Sequence, residues 1–320
     1  MDYRTGTSFE YHNPVRIVFA GGAFEQLPEL SDVKNRRCMF VGYQGFDPNR
    51  LGAIRSSAAT LHVHDAFEEN PSLDFVRTAA EIVRSSDIET IVAIGGGSTI
   101  DTAKAASYLA ANPDWVPGDP PAGTTMCSVV AVPTTAGTGS EVSPYAILAD
   151  PGGAKKIVAD PAVYPTVAVC DPLLTHGLPR GVTANTGIDA ISHSVEAYLN
   201  RKSGGFMPAL AQDSLSRIQH NLPLVLEEPT NAWARSEMML GALEGGMLLA
   251  ACGTVVVHAL GYELSKTWNL PHGFANGLLL NRFVQIMAEK GSEEARTILR
   301  IFHDDLGGFI ERVGIAADRQ

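Results

Sequence analysis

The first half of the chain alternates short β-branched runs with amphipathic helical patterns. Six runs are candidate strands: RIVFA (16–20), RCMFVGY (37–43), ATLHVH (59–64), ETIVAIGG (89–96), CSVVAVP (127–133) and TVAVCDP (166–172). Segments between them, such as SLDFVRTAAEIVRSS, have helical periodicity. Because strands that alternate with helices form parallel sheets covered on both faces, the pattern predicts an α/β domain.

The second half of the chain has a different pattern. After Leu178-Pro179 long helical periodicity dominates, with few β-branched alternations and several glycine interruptions. We therefore predict an α/β domain over residues 1–177 and an all-helical domain over residues 178–320. A chain of 320 residues is long enough for two such domains to bury cores.

Composition excludes several classes of protein. Hydrophobic residues make up 45% and charged residues 18%, which is too apolar for a disordered chain. The net charge of -11 repels phosphate backbones and anionic headgroups, so we expect no nucleic-acid or membrane partner. The four cysteines lie far apart without a C-x-x-C pair, and the N-terminus lacks an apolar signal-peptide core. These features predict a cytoplasmic protein.

A glycine-rich loop follows the fourth candidate strand. Gly95, Gly96, Gly97 and Ser98 stand between that strand and an amphipathic helix. Glycines let a backbone approach a pyrophosphate closely, and the N-terminus of the helix favours an anion, so the loop is a candidate phosphate site. The alternative is a tight strand-to-helix turn, since the motif is not the usual G-x-G-x-x-G.

A second polar loop, VPTTAGTGSEVSPYA (132–146), follows another buried strand. Its small hydroxyl and glycine residues suit a loop that wraps a ligand, because they offer donors and acceptors without bulk. An ordinary surface loop explains the same composition equally well.

Four residues of metal-binding types occur in the second half. Asp189 and His193 are four residues apart in a helical pattern, so both side chains point from one face. His258 ends an apolar helix-like run, and His272 lies in a Pro-His-Gly corner where a turn could return it to His258. A single histidine at these places would more often belong to a core or a helix cap. Three imidazoles with one carboxylate suit zinc, iron, nickel or copper better than magnesium or calcium.

Over nearly its whole length the chain resembles the iron-containing (group III) alcohol dehydrogenase family. The resemblance is carried by GGGSTIDTAKA, VPTTAGTGSEVS, DPLLTHGLP, TGIDAISHSVEAY and VVVHALGYELSKTWNLPHGFANGLLL, in the family's order and at about its spacing. It implies a dehydroquinate synthase-like architecture, with an α/β dinucleotide-binding N-terminal domain and an all-α metal-binding C-terminal domain.

The resemblance also implies roles for single residues. The family's metal ligands fall on Asp189, His193, His258 and His272. Its pyrophosphate loop falls on Gly95, Gly96, Gly97 and Ser98, with Asp101 on the following helix. Other implied cofactor contacts are Thr134, Thr135, Ser143, Tyr145 and Lys156, the last beside the nicotinamide.

The chain departs from the family in three places. Tyr262 stands where many members have a histidine that relays a proton, so we expect Tyr262 or a metal-bound water to handle the proton. Lys156, which the resemblance puts beside the nicotinamide, is the other candidate catalytic residue. Tyr43 replaces an acid that binds the ribose 2′-hydroxyl in NAD-preferring members, so NADP is tolerated. The C-terminal domain stops several tens of residues before those of family members, and we expect another subunit to cover apolar surface there.

The predicted function is a metal-dependent, NAD(P)-linked interconversion of a small primary alcohol and its aldehyde by hydride transfer. The expected cofactors are Fe²⁺, with Zn²⁺ as an alternative, and NAD or NADP. We expect a homodimer or a higher homo-oligomer. Two alternatives stay open: a non-catalytic or degenerate relative that binds nucleotide or metal, and a dehydroquinate synthase-like cyclase.

Overall fold

A computed structural model describes residues 8–43, 46–64, 66–150 and 152–318. Residues 1–7, which are part of the N-terminal stretch without an apolar signal-peptide core, lie outside these ranges. The chain divides into two compact units. One comprises residues 14–134 and 140–171, and the other comprises residues 8–13, residues 135–139 and the chain from Pro172 onward. We call them the α/β unit and the helical unit.

The α/β unit is built on a six-stranded sheet in which every pairing is parallel. Its spatial order is β1-β8-β5-β4-β2-β3. All six predicted strands are present, as β1 (Arg16–Phe19), β2 (Arg37–Gly42), β3 (Thr60–His64), β4 (Thr90–Gly95), β5 (Ser128–Pro133) and β8 (Val167–Cys170). The central strand β4 is buried along its whole length, which explains its continuous apolar run.

A two-stranded antiparallel hairpin, β6 (Tyr145–Ala149) and β7 (Lys155–Ala159), was not predicted from the sequence. Its turn is held by Asp150, whose Oδ1 accepts hydrogen bonds from the backbone N–H groups of Gly152 and Ala154. The Asp-Pro-Gly-Gly sequence at the turn is the signal that could have indicated it.

The order of the strands creates a switch point in the sheet. From β2 the sheet continues to β3 on one side, and β4 lies on the other side. In open parallel sheets ligands bind outside the carboxyl ends of the strands at such a point. The carboxyl end of β4 carries the glycine-rich loop, so the topology puts this loop where a ligand is expected.

Helices of the α/β unit pack on the sheet. They are α1 (Gly52–Ser57), α2 (Leu73–Ser85) and α3 (Gly97–Ala111). Ser72 caps α2 by accepting a hydrogen bond from the N–H of Phe75. From Thr99 to Ala110 every residue of α3 is buried, among small alanine side chains that allow close packing.

The helical unit contains seven α-helices in the described part of the chain. They are α4 (Arg180–Tyr198), α5 (Met207–Glu227), α6 (Ala232–Cys252), α7 (Val256–Trp268), α8 (His272–Glu289), α9 (Glu293–Ile301) and α10 (Leu306–Asp318). Helix α4 is central, because every residue from Thr186 to Tyr198 is buried. Most residues of this segment are small or apolar, and the buried polar side chains Asp189, His193 and Glu196 need partners within the protein.

The prediction that His258 ends an apolar helix was wrong. Helix α6 ends at Cys252, Gly253 has a φ of 73°, and α7 starts at Val256, so His258 lies in the first turn of the next helix. The axes of α6 and α7 are bent by 108° at this break. Glycine tolerates the left-handed φ at the end of α6, which ends the helix.

No single helix in the described ranges is long and apolar enough to span a bilayer. Only α6 and α7 taken together satisfy the length and composition criteria, as a bent pair.

Residues 135–139, from the second polar loop, pack within the helical unit. Gly139 has a φ of 64° and lies so close to the backbone of Gly246 on α6 that a β-carbon would overlap it. Gly137 lies equally close to Thr186 on α4. Glycine is therefore required in this loop for close approach to two helices.

Candidate functional site

The helical unit brings the four predicted metal ligands into one cluster. Asp189 and His193 lie one turn apart on α4, His258 lies in the first turn of α7, and His272 is the first residue of α8. Oδ1 of Asp189 is 3.5 Å from Nε2 of His258 and 3.5 Å from Nε2 of His272. The ring of His193 stacks on that of His258, with centroids 4.6 Å apart. The ligand atoms of Asp189, His258 and His272 thus converge, and the ring of His193 lies beside them.

These distances suit a single bound cation. Ligand atoms of Asp189, His258 and His272 all lie within 4.8 Å of one another. A tetrahedral cation about 2.1 Å from each ligand sets its ligand atoms about 3.4 Å apart, close to the two 3.5 Å separations. The donor set of nitrogen and one carboxylate oxygen fits iron or zinc.

Buried polar atoms in the cluster are available to a ligand. Nδ1 of His193 and Nε2 of His258 are buried and make no hydrogen bond to any described residue. Buried polar groups are nearly always hydrogen-bonded, so a buried nitrogen without a hydrogen bond is a candidate for binding a ligand. A cation bound to Nε2 of His258 would satisfy that nitrogen.

The electrostatics of the cluster favour positive charge beside Asp189. Burial opposes ionisation of Asp189, but His193, His272 and His258 outweigh it and hold the pKa of its carboxyl below the usual value. Burial also lowers the pKa of His193 to about 4, so this imidazole is neutral at pH 7. A neutral imidazole and an ionised carboxylate are the forms that bind metals.

Asn276 connects two of the ligands and was not singled out in the sequence. It is fully buried on α8, and its amide donates hydrogen bonds to Oδ1 of Asp189 at 3.1 Å and to Nε2 of His272 at 3.3 Å. A β-carbon at Gly261 on α7 would overlap its Oδ1. Its position four residues after His272 is the only sequence signal for this role.

Tyr262 lies beside the cluster. Its ring stacks on that of His272, with centroids 4.7 Å apart and an interplanar angle of 12°. It is also in edge contact with His258, at 6.4 Å between centroids. The ring of Tyr262 therefore lies against one candidate ligand and at the edge of another.

The glycine-rich loop of the α/β unit links β4 to α3. Gly95 ends β4, Gly96 precedes the helix, and Gly97 and Ser98 form its first turn. Gly96, Gly97 and Ser98 are partly exposed, so the N-terminus of α3 is accessible. This end of a helix presents N–H groups and a positive dipole to an anion.

Two further residues adjoin this loop. Oγ of Ser98 accepts a hydrogen bond from the backbone N–H of Asn70 at 3.2 Å. The backbone N–H of Thr134, directly after β5, donates to the carbonyl of Gly95 at 3.0 Å. Asn70 was not recognised in the sequence, where only the dipeptide Asn-Pro marked its turn.

Asp101 faces the protein interior. Its carboxylate accepts hydrogen bonds from Oγ of Ser140 and from the backbone N–H of Ile147, the latter at 3.0 Å. Both carboxylate oxygens are therefore used within the α/β unit. We interpret Asp101 as a residue that holds the 140–147 segment next to α3.

Lys104, one helical turn beyond Asp101, is also fully buried. Its Nζ donates to the carbonyls of Ser140 and Ser143, each at 2.9 Å, and to Oγ of Ser140. Burial lowers the pKa of Lys104 to about 8, while Asp101 and Glu141 raise it. This network fixes the segment that contains Ser143, a predicted cofactor contact.

The other residues that were predicted to contact the dinucleotide lie on different parts of the fold. Tyr145 starts β6, and Thr135 belongs to the segment that packs within the helical unit. Nζ of Lys156 is 3.5 Å from Asp150 at the hairpin turn. Its neighbour Lys155 instead donates to Oδ1 of Asn70, beside the glycine-rich loop, and burial lowers its pKa.

Comparison with known proteins gives the family. Residues 14–172 match iron-containing alcohol dehydrogenase, and residues 183–314 match the C-terminal region of the Fe-containing alcohol dehydrogenase family. The chain belongs to the iron-containing alcohol dehydrogenase family. The match includes all four residues of the metal-ligand cluster and the glycine-rich loop.

The chain is also similar to curated proteins that are named as alcohol dehydrogenases. A probable alcohol dehydrogenase, EutG, of Escherichia coli is 32% identical over 243 residues, which cover 73% of this chain and 62% of that protein. The chain thus spans about three fifths of the length of this curated relative.

Solved structures of the iron-containing alcohol dehydrogenase family are similar over more of their length. An iron-containing alcohol dehydrogenase from Thermotoga maritima is 32% identical with a TM-score of 0.85, covering 96% of this chain and 87% of the other. Sulfoacetaldehyde reductase from Bifidobacterium kashiwanohense, in complex with NAD⁺, is 26% identical with a TM-score of 0.87, covering 98% and 87%. The α/β and helical units are therefore the fold of this family.

Proposed function

We propose that this chain is a metal-dependent, NAD(P)-linked oxidoreductase that interconverts a small primary alcohol and its aldehyde. The observation that supports it best is the position of Asp189 Oδ1, 3.5 Å from Nε2 of both His258 and His272. The family membership supports the same reaction class, since its relatives include alcohol dehydrogenases and aldehyde reductases by name.

Asp189, His193, His258 and His272 would hold the metal, with Fe²⁺ as the expected ion and Zn²⁺ as the alternative. When bound, a divalent cation acts as a Lewis acid toward an alcohol or carbonyl oxygen, and a nicotinamide dinucleotide donates or accepts hydride. The carboxylate of Asp189 supplies one negative charge, and imidazoles bind a metal in their neutral form, so the four side chains would leave a divalent cation with a net positive charge.

The chain's own residues bind and orient the reactants. Gly96, Gly97 and Ser98 would receive the pyrophosphate at the N-terminus of α3, with Gly95 allowing the tight turn. Asp101 and Lys104 would act indirectly, by holding the segment that contains Ser143. Thr134, Thr135, Tyr145 and Lys156 stay predicted cofactor contacts.

Tyr262 is proposed to move the proton. Its hydroxyl belongs to a ring stacked on His272, so it would lie near the substrate oxygen. In aldehyde reduction it would donate a proton to that oxygen, and in alcohol oxidation it would accept one.

The dinucleotide is proposed to be NAD or NADP. Tyr43 is exposed at the end of β2 and carries no negative charge that would repel a 2′-phosphate. One structural relative was solved with NAD⁺. The degenerate relative and the cyclase are not favoured, because the ligand cluster is complete and the named relatives are alcohol and aldehyde oxidoreductases.

We further propose a cytoplasmic homodimer or higher homo-oligomer without nucleic-acid or membrane partners. Trp268 on α7 and Leu278 on α8 are 64% and 68% exposed, which suits surfaces covered by a second copy. The net charge of -11 disfavours anionic partners. Light scattering after size-exclusion chromatography would give the number of subunits.

Metal analysis of the purified protein, together with NADH and NADPH oxidation against a panel of short aldehydes, tests the proposed activity. We expect about one metal ion per chain and turnover with at least one aldehyde. A folded protein that binds no metal and oxidises neither dinucleotide would contradict the proposal.

A further inference from the structure

Glu196 is a fully buried carboxylate that the proposed reaction does not use. It lies on α4, three residues after His193, and its side chain meets the first turn of α7. Oε1 accepts hydrogen bonds from the backbone N–H groups of Val255 at 2.9 Å and Val257 at 2.8 Å. Oε2 accepts from the backbone N–H of His258 at 3.3 Å and contacts Nδ1 of the same residue.

These contacts determine which nitrogen of His258 carries hydrogen. Three backbone N–H groups point at Glu196, so its oxygens act as acceptors. The contact with Nδ1 is then a hydrogen bond donated by Nδ1–H. The lone pair of a neutral imidazole is consequently on Nε2, the nitrogen that lies 3.5 Å from Asp189 Oδ1.

We propose that Glu196 is a positioning residue of the metal centre: it holds His258 as the Nδ1–H tautomer and turns Nε2 toward the metal. The inference rests on the proposed metal site. A carboxylate that accepts the second ring N–H of a metal-binding histidine fixes both the orientation and the tautomer of the ring. Glu196 also holds the backbone of the first turn of α7, which carries His258.

The substitution Glu196→Gln separates the hydrogen bond to Nδ1 of His258 from the contacts that hold the backbone of α7. An amide of the same shape can keep its carbonyl oxygen on the N–H groups of Val255 and Val257. Its NH₂ group then faces Nδ1 of His258 and can donate only to the tautomer that has hydrogen on Nε2. That tautomer has no lone pair for a metal at Nε2, so metal binding weakens while the helix contact is kept.

The experiment measures the Zn²⁺ affinity of the whole chain by competition with a chelator. We expect Glu196→Gln to bind Zn²⁺ about 10- to 100-fold more weakly than the wild type, the range found for such outer partners. Glu196→Asp keeps a carboxylate and is expected to recover part of the affinity. Glu263→Gln, at an exposed position of α7, is the matched control and should bind as the wild type does.

A second measurement is independent of whether the variants fold. In ¹⁵N NMR of the zinc-loaded wild-type protein, His258 should retain a proton on Nδ1 and show the zinc-bound shift on Nε2. Zinc on Nδ1 would overturn the inference, as would equal Zn²⁺ affinity of a folded Glu196→Gln variant and the control. A wild-type protein that binds no Zn²⁺ would instead overturn the metal site, and this inference with it.

Discussion

Oδ1 of Asp189 lies 3.5 Å from Nε2 of His272, although the two residues belong to helices α4 and α8. Asp189 is buried, whereas the side chain of His272 is 31% exposed. The carboxylate of Asp189 is therefore enclosed by protein, whereas His272 lies at the solvent-accessible edge of the cluster. This arrangement makes His272 the ligand whose removal disturbs packing least.

His272→Ala is expected to lower metal affinity more than 100-fold, because loss of a direct ligand should exceed the 10- to 100-fold cost of changing an outer partner. Activity should fall with metal content, and circular dichroism should stay unchanged. Metal content after dialysis against a chelator checks the prediction. His220→Ala, at an exposed site on α5, should retain metal; normal turnover by metal-free His272→Ala protein would contradict the mechanism.

Tyr262→Phe is expected to keep its metal and to lower kcat about 100-fold, the lower end of general acid–base contributions. The phenylalanine ring can still stack on His272, so only the hydroxyl is lost. Tyr262→His should work at lower pH than the wild type, because unperturbed imidazole has a pKa near 6.5 and phenol near 10. Steady-state kinetics across pH measure both effects, and an unchanged kcat in Tyr262→Phe would assign the proton to water.

Lys104→Met is expected to lower the free energy of unfolding by about 3 to 5 kcal/mol, because it leaves the buried carboxylate of Asp101 without its nearby positive charge. Three hydrogen bonds to the 140–143 segment are lost as well. Urea unfolding followed by circular dichroism measures the change. Lys34→Met, at an exposed position, should alter stability by less than about 0.5 kcal/mol, and an equal effect of both variants would contradict the assignment.

The buried carboxyl group of Glu244 on α6 is expected to make the free energy of unfolding depend on pH. Burial raises the pKa of this carboxyl to about 8, with a further contribution from Asp213, while Arg217 opposes the shift. Between about pH 4.5 and 8 the unfolded chain loses this proton and the folded chain keeps it. The contribution of Glu244 to the free energy of unfolding therefore falls as pH rises through this window, and is constant above it.

Glu244→Gln should remove that decline and stabilise the protein at pH 9 by roughly 1 to 3 kcal/mol, since one pKa unit corresponds to about 1.4 kcal/mol. At pH 4 the variant and the wild type should differ little. Urea unfolding at the two pH values tests the prediction, with Glu227→Gln at an exposed position as control. A variant that is less stable than the wild type at pH 9 would contradict it.

Much of the α/β unit could be predicted because its signals are local. Each of the six sheet strands is a short run that contains β-branched residues, and the loop from Gly95 to Ser98 lies between a strand and a helix in the sequence itself. The hairpin of β6 and β7 was missed because its first strand begins within the polar loop 132–146, whose composition is that of a loop.

The position of His258 shows where pattern reasoning fails. The apolar run before it continues across Gly253, so periodicity alone gives one helix where the structure has two. The backbone at Gly253 decides the break, and the sequence shows a glycine there without showing its φ.

The sequence by itself determined the alternation of strands and helices and the supply of one carboxylate and three imidazoles, because residue type and short-range spacing carry that information. Only the tertiary structure decided that Glu196 holds Nδ1 of His258, that Asn276 joins Asp189 to His272, and that Asp101 faces the interior. The contacts of Glu196 with α7 and of Asn276 with Asp189 join residues on different helices, and those of Asp101 join α3 to a distant segment. Such contacts depend on how the elements pack against one another, which no local pattern records.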